Sequence, residues 1–328
     1  MKEMISRRSF LRVMGLGFGA AMLTACKTGT TDSPADSPAA SVPDADTPVP
    51  FLTEDEFPRL DGSTACIPLM AQMKADVTGM DLLEAQTSIT VSTTAYAWEN
   101  FGLWSRSDSD DYGAQLLIVY EAPEYVKEEL AEADAKLEQK AIGRDALVFI
   151  VNESNPVQSL TQQQLRDIYA GRITNWKEVG GDDAKIVVLN RKAGSGTRAT
   201  FEAAVFGDEA VDFKGDAELD KSGDVQTQMG STDNAISYLD FSHFDDSKFN
   251  AIKVEGVEPK SKNVTDDSFK IWATEHMYCA KDADEATKAF LEFMLSDDVQ
   301  GKLVEEQGFI PVSAMKVVKD ASGKVSAK

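Results

Sequence analysis

Cysteine and histidine are scarce in this chain, whose 328 residues include three cysteines and two histidines. His243 and His276 lie far apart and lack the spacing of metal ligands. Cys66 and Cys279 either form a disulfide or remain separate buried thiols, and the sequence leaves both alternatives open. A Ser–His–Asp or Cys–His centre would have very few residues to draw on. We therefore expect a protein that is not an enzyme and that uses no cofactor and no metal.

Positive charge is also in short supply. The chain has 33 Lys and Arg against 55 Asp and Glu, which gives a formal net charge of −22. A field of this sign repels nucleic acid, so a nucleic-acid partner is excluded. It also repels small anions at long range. Any anion site must therefore act locally, through aimed dipoles and one or two arginines.

Long hydrophobic runs are missing as well. The apolar stretch of residues 13–23 is too short to span a membrane comfortably. It follows a twin-arginine pattern in residues 6–12, and it ends at Cys26 in a stretch similar to a bacterial lipobox. We expect residues 1–25 to be a twin-arginine lipoprotein signal and Cys26 to carry the lipid. An ordinary secretory signal with a chance cysteine is the alternative.

Residues 26–50 contain Thr, Ser, Asp, Ala and Pro, with no aromatic residue and no apolar period. Such a composition cannot bury enough surface to offset the entropy of ordering, so it predicts a disordered tether. The tether would link the lipid to a folded part that begins near residue 51 and is long enough for two lobes. The expected location is outside the cytoplasm, lipid-anchored to the cell membrane.

From residue 51 onward, strand-like and helix-like segments alternate, which indicates an α/β fold with mainly parallel sheets. Residues 161–164 form a capping box that starts a helix, and Gly171 ends it. The last long helix is predicted over residues 285–295. The predicted strands are residues 88–92, 115–120, 146–151, 185–189, 235–239, 251–254 and 277–280.

Three loops carry small hydroxylated residues where strands lead into helices, which is where ligands bind in open α/β sheets. The first loop contains Ser63 and Thr64, the second contains Thr94, and the third contains Arg191, Ser195, Gly196 and Thr197. Helix capping alone explains each loop taken separately. The presence of three such loops, one of them beside an arginine, favours a shared anion-binding site. A Gly-rich turn supports this, because it aims several backbone N–H groups at one small volume. The spacing of a nucleotide P-loop is absent, which excludes that mode of ATP binding.

An ordered set of segments makes this chain resemble the substrate-binding lipoproteins of phosphate ABC transporters, which have the type II periplasmic-binding-protein fold. The segments are residues 61–64, 142–152, 155–157, 165–171, 173–176, 180–181, 191–202, 235–238 and 307–312. The resemblance implies two lobes that enclose a cleft. Lobe one would comprise residues 51–147 and 266–328, and lobe two residues 148–265.

The same resemblance implies a ligand and a partner. The ligand would be inorganic phosphate or a similar oxyanion, and the partner would be an ABC permease that receives it from a monomeric binding protein. The implied ligand-binding residues are Ser63, Thr64 and Thr94 of lobe one and Arg191, Ser195, Gly196 and Thr197 of lobe two. Closure of the lobes would strip water from the anion and strengthen each hydrogen bond.

Two positions depart from the family pattern. The family has an acidic residue two places after the arginine, where this chain has Ala193, and an aspartate that the alignment places at Gln115. A glutamine carbonyl can also accept a hydrogen bond, but it lacks the charge that repels fully deprotonated oxyanions. The choice between phosphate and sulfate therefore stays open, as do the affinity and the identity of the permease. A surface sensor or adhesion lipoprotein with the same fold and an exported phosphoester hydrolase are the competing hypotheses.

Overall fold

The computed structural model describes residues 52–89, 91–106, 113–120, 137–207, 211–213, 215–297, 299–304, 307–319 and 325–328. The predicted signal, Cys26 and the tether lie outside these described residues. No helix within the described ranges is both long and apolar enough to cross a bilayer.

The strands are β1 (Leu60–Gly62), β2 (Leu116–Val119), β3 (Leu137–Asn152), β4 (Ser159–Leu160), β5 (Val187–Arg191), β6 (Ala217–Leu219), β7 (Ala235–Asp240), β8 (Phe249–Ala251), β9 (Lys253–Val254), β10 (Trp272–Ala280), β11 (Ile310–Pro311), β12 (Val317–Lys319) and β13 (Val325–Ala327). The α-helices are α1 (Ile67–Thr78), α2 (Leu82–Ser88), α3 (Thr94–Arg106), α4 (Gln162–Tyr169), α5 (Gly196–Phe201), α6 (Ser222–Ser231), α7 (Ser261–Thr265) and α8 (Glu285–Met294). Short 3-10 and π-helical turns occupy Thr64–Cys66, Trp176–Val179, Glu202–Phe206, Phe241–His243, Val299–Val304 and Val312–Ala314.

One mixed sheet runs through the molecule in the order β1-β2-β10-β3-β7-β5-β6. The long strand β3 links its two halves, because β3 pairs with β10 up to Ala146 and with β7 from Leu147. Pairing is parallel between β1 and β2 and from β7 through β5 to β6, as predicted. It is antiparallel around β3 and β10, because the chain crosses between the halves along β3 and returns along β10. The α/β class is confirmed.

Each half of the sheet has its own hydrophobic core. One core packs α1, β2 and α8 together and includes Met70, Ile118 and Phe290. The other surrounds the second half of β3 and includes Phe149 and Phe201. Burying a side chain of this size stabilises the fold by about 1.5–3 kcal/mol, so each core supports its half of the sheet.

Local sequence signals place several elements correctly. Thr161 Oγ1 accepts a hydrogen bond from Gln164 N at 3.0 Å, and Gln164 Oε1 accepts one from Thr161 N at 2.8 Å, so the predicted capping box starts α4. Gly171 adopts a φ of 70° just beyond the helix, a left-handed conformation that glycine favours. The predicted terminal helix is confirmed as α8.

The prediction of a strand over residues 88–92 is wrong. Ser88 is the last residue of α2, and the backbone N–H of Ser92 donates to the Asp61 carboxylate instead of to a sheet partner. Strand β3 also begins nine residues earlier than its apolar run indicates. Its first residues include the charged Glu138 and Lys140, which interrupt the hydrophobic pattern of a buried strand.

Candidate functional site

The first two predicted loops are joined by Asp61, the middle residue of β1. Its Oδ1 accepts a hydrogen bond from Ser92 N at 2.8 Å, and its Oδ2 accepts bonds from Ser92 Oγ at 2.6 Å and Asn100 Nδ2 at 2.7 Å. Ser63 N donates to the carbonyl of Ile118 in β2 at 2.9 Å. The loop with Ser63 and the loop that leads into α3 therefore lie at the same edge of the sheet. Thr64 is buried beside Ser63.

The third loop meets the second one directly. Ala95 N donates to the carbonyl of Gly194 at 3.3 Å. A Cβ atom added to Gly196 would lie 2.3 Å from Thr94 Oγ1 and 2.7 Å from Tyr120 Cδ2, so only glycine fits this approach. The structure thus brings Thr94, on one half of the sheet, against the Gly-rich loop on the other half.

The Arg191 guanidinium is buried in this junction, with 1% of the residue exposed. Its Nη1 donates to Thr197 Oγ1 at 3.3 Å and to Ser222 Oγ at 3.2 Å, and its Nη2 donates to the carbonyl of Asp220 at 3.1 Å. Its Nε has no hydrogen-bond partner among the described residues. These bonds fix the orientation of the guanidinium and leave one edge with an unused donor.

Two threonine hydroxyls near Arg191 in the fold are also buried without a hydrogen-bond partner among the described residues. Thr93 Oγ1 and Thr94 Oγ1 are buried, and neither has a partner in the described part of the chain. A buried polar group without a partner costs about 1–3 kcal/mol, so native proteins rarely leave several of them together. Arg191 can only donate, and a hydroxyl can donate or accept. Unpaired groups of these kinds are satisfied by an oxygen-rich ligand.

The start of α5 adds backbone donors. Ser195 Oγ caps the helix by accepting a hydrogen bond from Arg198 N at 3.3 Å. Gly196 and Thr197 occupy the first two helical positions, and N–H groups there have no partner inside a helix. Their dipoles favour negative charge at this end of the helix.

Asp240, the last residue of β7, is a site residue that the sequence analysis missed. Its buried Oδ1 accepts hydrogen bonds from Tyr120 OH at 2.6 Å and Thr197 Oγ1 at 2.9 Å. Its Oδ2 accepts one from Ser222 Oγ at 2.8 Å. The signal that would have found it is its place at the carboxyl end of a buried strand, the end where ligand sites form.

Three buried acids near this junction differ in their acidity. Burial raises the pKa of the Asp240 carboxyl, but its interactions with His243 and Arg191 and the hydroxyl donors outweigh it, so the net pKa is lowered and Asp240 is ionised at neutral pH. Burial and the neighbouring acids raise the pKa of Asp145 well above its ordinary value. Burial raises the pKa of Glu275 to about 8.

Gln115 does not join the site. It precedes the first residue of β2, whereas the site lies beside Tyr120 at the other end of that strand. Its Oε1 accepts a hydrogen bond from Arg59 N at 3.0 Å, and its Nε2 donates to Asp284 Oδ2 at 3.2 Å. Both contacts lie away from the Gly-rich loop, and the alignment of Gln115 with the family aspartate stays a prediction.

Ala193 lies at the mouth of the site, in the wall of a cavity of about 460 Å³ that also reaches Thr93 and Ser195. It contributes no charge there. The two cysteines of the folded part, Cys66 and Cys279, are both buried free thiols, so the disulfide alternative is not formed.

Comparisons with known proteins agree with this architecture. A family model described as a PBP superfamily domain matches residues 119–298. The phosphate-binding protein PstS of Bacillus subtilis is 40% identical over 200 residues, which are 61% of this chain and 66% of that protein. The alignment thus spans just under two thirds of that relative. The phosphate-binding protein PstS of Borreliella burgdorferi is 29% identical over 209 residues, 60% of this chain and 72% of that protein.

Solved structures show the same likeness. A putative phosphate ABC transporter substrate-binding protein with bound phosphate from Clostridium perfringens has a TM-score of 0.64 at 29% identity, and the match covers 77% of this chain and 98% of that one. An ABC-type phosphate transport receptor from Vibrio cholerae has a TM-score of 0.58 at 28% identity, with 76% and 98% covered. These matches confirm the predicted two-lobe α/β architecture. Because the family model covers more than half of its residues, the chain belongs to the PBP superfamily.

Proposed function

We propose that this protein captures inorganic phosphate outside the cytoplasm and delivers it to an ABC importer. The observation that carries the proposal is the group of buried donors without partners, Arg191 Nε and the hydroxyls of Thr93 and Thr94, where loops from both halves of the sheet meet. The relatives named above as phosphate-binding or phosphate-transport proteins support phosphate as the anion.

A tetrahedral oxyanion suits these donors, because each of its oxygens accepts hydrogen bonds. Arg191 supplies a planar guanidinium held from behind by Thr197 and Ser222, and α5 supplies N–H groups at its start. Ser63, Thr64 and Thr94 would donate from the opposite side, together with Ser195 from the Gly-rich loop. Fixed donors in a site without water bind an anion more strongly than the same donors do in water.

We assign residues 51–147 and 266–328 to lobe one and residues 148–265 to lobe two. The change of partner along β3, from β10 to β7 after Ala146, supports this boundary. Ligand capture would then close the lobes at Gly196, where the backbone already lies against Thr94. A permease can distinguish such a closed form from an open one.

The membrane attachment rests on the N-terminal sequence alone. We propose that residues 1–25 are removed as a twin-arginine signal, that Cys26 is acylated, and that residues 26–50 act as a tether. The protein would then work as a lipid-anchored monomer beside its permease. Mass spectrometry of the membrane fraction tests this, because an acylated N-terminal Cys26 peptide is expected and an unmodified soluble protein would contradict it.

Titration calorimetry with phosphate and with sulfate tests the proposed function. Wild-type protein is expected to bind phosphate, and the Arg191→Ala variant to bind at least about 30-fold more weakly, since losing the partner of a buried charge costs about 2–5 kcal/mol. Arg191→Lys keeps the charge but loses the planar fork, so it should fall between the two. Arg172→Ala removes an exposed guanidinium from the same lobe and serves as the control. No heat of binding with millimolar phosphate would refute the proposal, and preference for sulfate would redirect it to another oxyanion.

A further inference from the structure

We propose that the cavity beside the anion site receives the organic group of a small hydroxylated phosphate monoester. The protein would then capture phosphate esters of short polyols in addition to free phosphate. This inference rests on the proposed function, because the phosphoryl group of the ester would occupy the anion site. The size of the cavity, the contact of the two halves along it and the chemistry of its wall carry the inference.

The cavity is larger than a phosphate ion needs. Its volume is about 460 Å³, and its wall includes Thr93 and Ser195, which border the anion site, as well as Tyr96 and Glu218. Since a water molecule takes about 30 Å³ of the liquid, the five heavy atoms of phosphate displace at most roughly 150 Å³. By the same measure, the ester of a three-carbon polyol, with about ten heavy atoms, displaces at most roughly 300 Å³. The cavity therefore has room for the ester.

Closure of the lobes does not remove this space, because the two halves already touch along the cavity. Ala95 N donates to the carbonyl of Gly194 at 3.3 Å, and both residues line the cavity. A Cβ atom added to Gly194 would lie 3.5 Å from Ala95 Cβ and 3.7 Å from Thr93 Oγ1, which is ordinary van der Waals contact. Little further approach is possible at this point. The cavity is therefore present while the halves are in contact.

The wall of the cavity suits hydroxyl groups better than a second anionic group. Three carboxylates line it, Glu99 from α3 and Glu218 and Asp220 from β6 and the residue after it. Lys192 is the one ammonium group among the described lining residues, and it is already paired with Asp220 at 3.2 Å. A carboxylate accepts hydrogen bonds and cannot donate them, so the O–H groups of a polyol fit this wall. A ligand with a further negative charge would be repelled.

Tyr96 adds an exposed aromatic side chain to the wall. It lies in the first turn of α3 and is 60% exposed, which is unusual for a side chain of this size. A tyrosine offers an apolar ring to a carbon chain and a hydroxyl group to its polar substituents. Free phosphate has no carbon chain to place against this ring, whereas the organic group of an ester does.

Titration calorimetry with phosphate, glycerol 3-phosphate and 3-phosphoglycerate tests the inference, with the free phosphate in each ester stock assayed and subtracted. The two esters have nearly the same size, but 3-phosphoglycerate carries an additional carboxylate. The wild type is expected to bind glycerol 3-phosphate within about tenfold of phosphate, and 3-phosphoglycerate at least about tenfold more weakly than glycerol 3-phosphate. Native mass spectrometry of the loaded protein identifies the bound species by its mass, so that an ester is not confused with phosphate.

Two variants locate the organic group in the cavity. Tyr96→Ala removes the aromatic ring and leaves the proposed anion donors in place. It should weaken binding of glycerol 3-phosphate by about threefold to tenfold, as expected for the loss of one aromatic contact, and leave phosphate binding unchanged. Glu99→Gln removes a charge from the wall and should reduce the difference in affinity between the two esters. Leu83→Ala truncates an exposed side chain of α2 outside the cavity lining and serves as the control.

The outcomes distinguish the ester site from the proposed function. Binding of glycerol 3-phosphate within about tenfold of phosphate, weakened selectively by Tyr96→Ala, supports the ester site. Weaker binding of this ester, equal affinity for the two esters, or a Tyr96→Ala variant that changes phosphate and ester binding alike overturns it and leaves phosphate capture intact. A wild type that binds the ester but not free phosphate refutes the proposed function alone. A wild type that binds neither ligand refutes both.

Discussion

Replacing Glu275 by glutamine is expected to change how the stability of the protein depends on pH. Glu275 lies in β10 and is fully buried, and among the described residues no hydrogen bond of regular geometry reaches its carboxyl oxygens, although the Cys66 and Tyr120 side chains lie close to them. Burial raises the pKa of this carboxyl to about 8, against an ordinary value of 4.5, and the nearby Cys66 thiol lowers it only in part. The folded protein therefore holds a proton there at neutral pH.

The sign of the effect follows from proton binding. Between pH 4.5 and about 8 the folded state keeps a proton that the unfolded state has released, so the free energy of unfolding falls as pH rises. Each unit of pKa difference corresponds to about 1.36 kcal/mol, which gives a loss on the order of 5 kcal/mol across this window. The loss is complete above pH 8. A glutamine has no proton to release and does not cause this loss.

Urea unfolding followed by circular dichroism measures the difference. At about pH 5 the Glu275→Gln variant and the wild type should have similar free energies of unfolding. Above about pH 8 the variant should be more stable by several kcal/mol, a large share of the 5–15 kcal/mol typical of a native protein. Glu292→Gln makes the same chemical change at an exposed position of α8 and should follow the wild type at every pH. If the free energies of unfolding of Glu275→Gln and wild type depended on pH in the same way, the claim that the buried carboxyl is protonated would be refuted.

Three further outcomes are expected. Gly196→Ala should retain the fold but lose phosphate binding in calorimetry, because its methyl group would lie 2.3 Å from Thr94 Oγ1; a variant with unchanged affinity would disprove the close approach. Gly62→Ala should lower the free energy of unfolding in urea by about 1–3 kcal/mol, since its Cβ would lie 2.0 Å from a backbone carbonyl of β2; equal stability would contradict the packing. Cys66 and Cys279 should react with a thiol reagent only once the protein is unfolded, and no reductant should be needed for that reaction. Peptide mapping that finds the two cysteines cross-linked would contradict two free thiols.

The elements that the sequence predicted correctly depend on neighbouring residues. The capping box at the start of α4 joins residues three apart, and Gly171 ends that helix by a local backbone conformation. The Gly-rich loop after β5 is equally local, because a strand, a turn and a helix follow one another within a few residues. Signals of this kind can be recognised before the tertiary structure is known.

Other features required contacts between distant parts of the chain. The carboxylate of Asp240 meets a hydroxyl 43 residues away in Thr197 and another 18 residues away in Ser222, and no local pattern encodes those distances. Gln115 likewise contacts Asp284, 169 residues away, and no local pattern predicts that contact.

The sequence by itself therefore determined the α/β class, the boundaries of α4 and α8 and the loops that carry hydroxyls beside Arg191. The tertiary structure alone decided which donors are left without partners, which carboxylate stays charged and which keeps its proton. The reason is physical: caps, turns and apolar runs act over a few residues. Desolvation and hydrogen-bond pairing instead depend on which remote segments pack around a group.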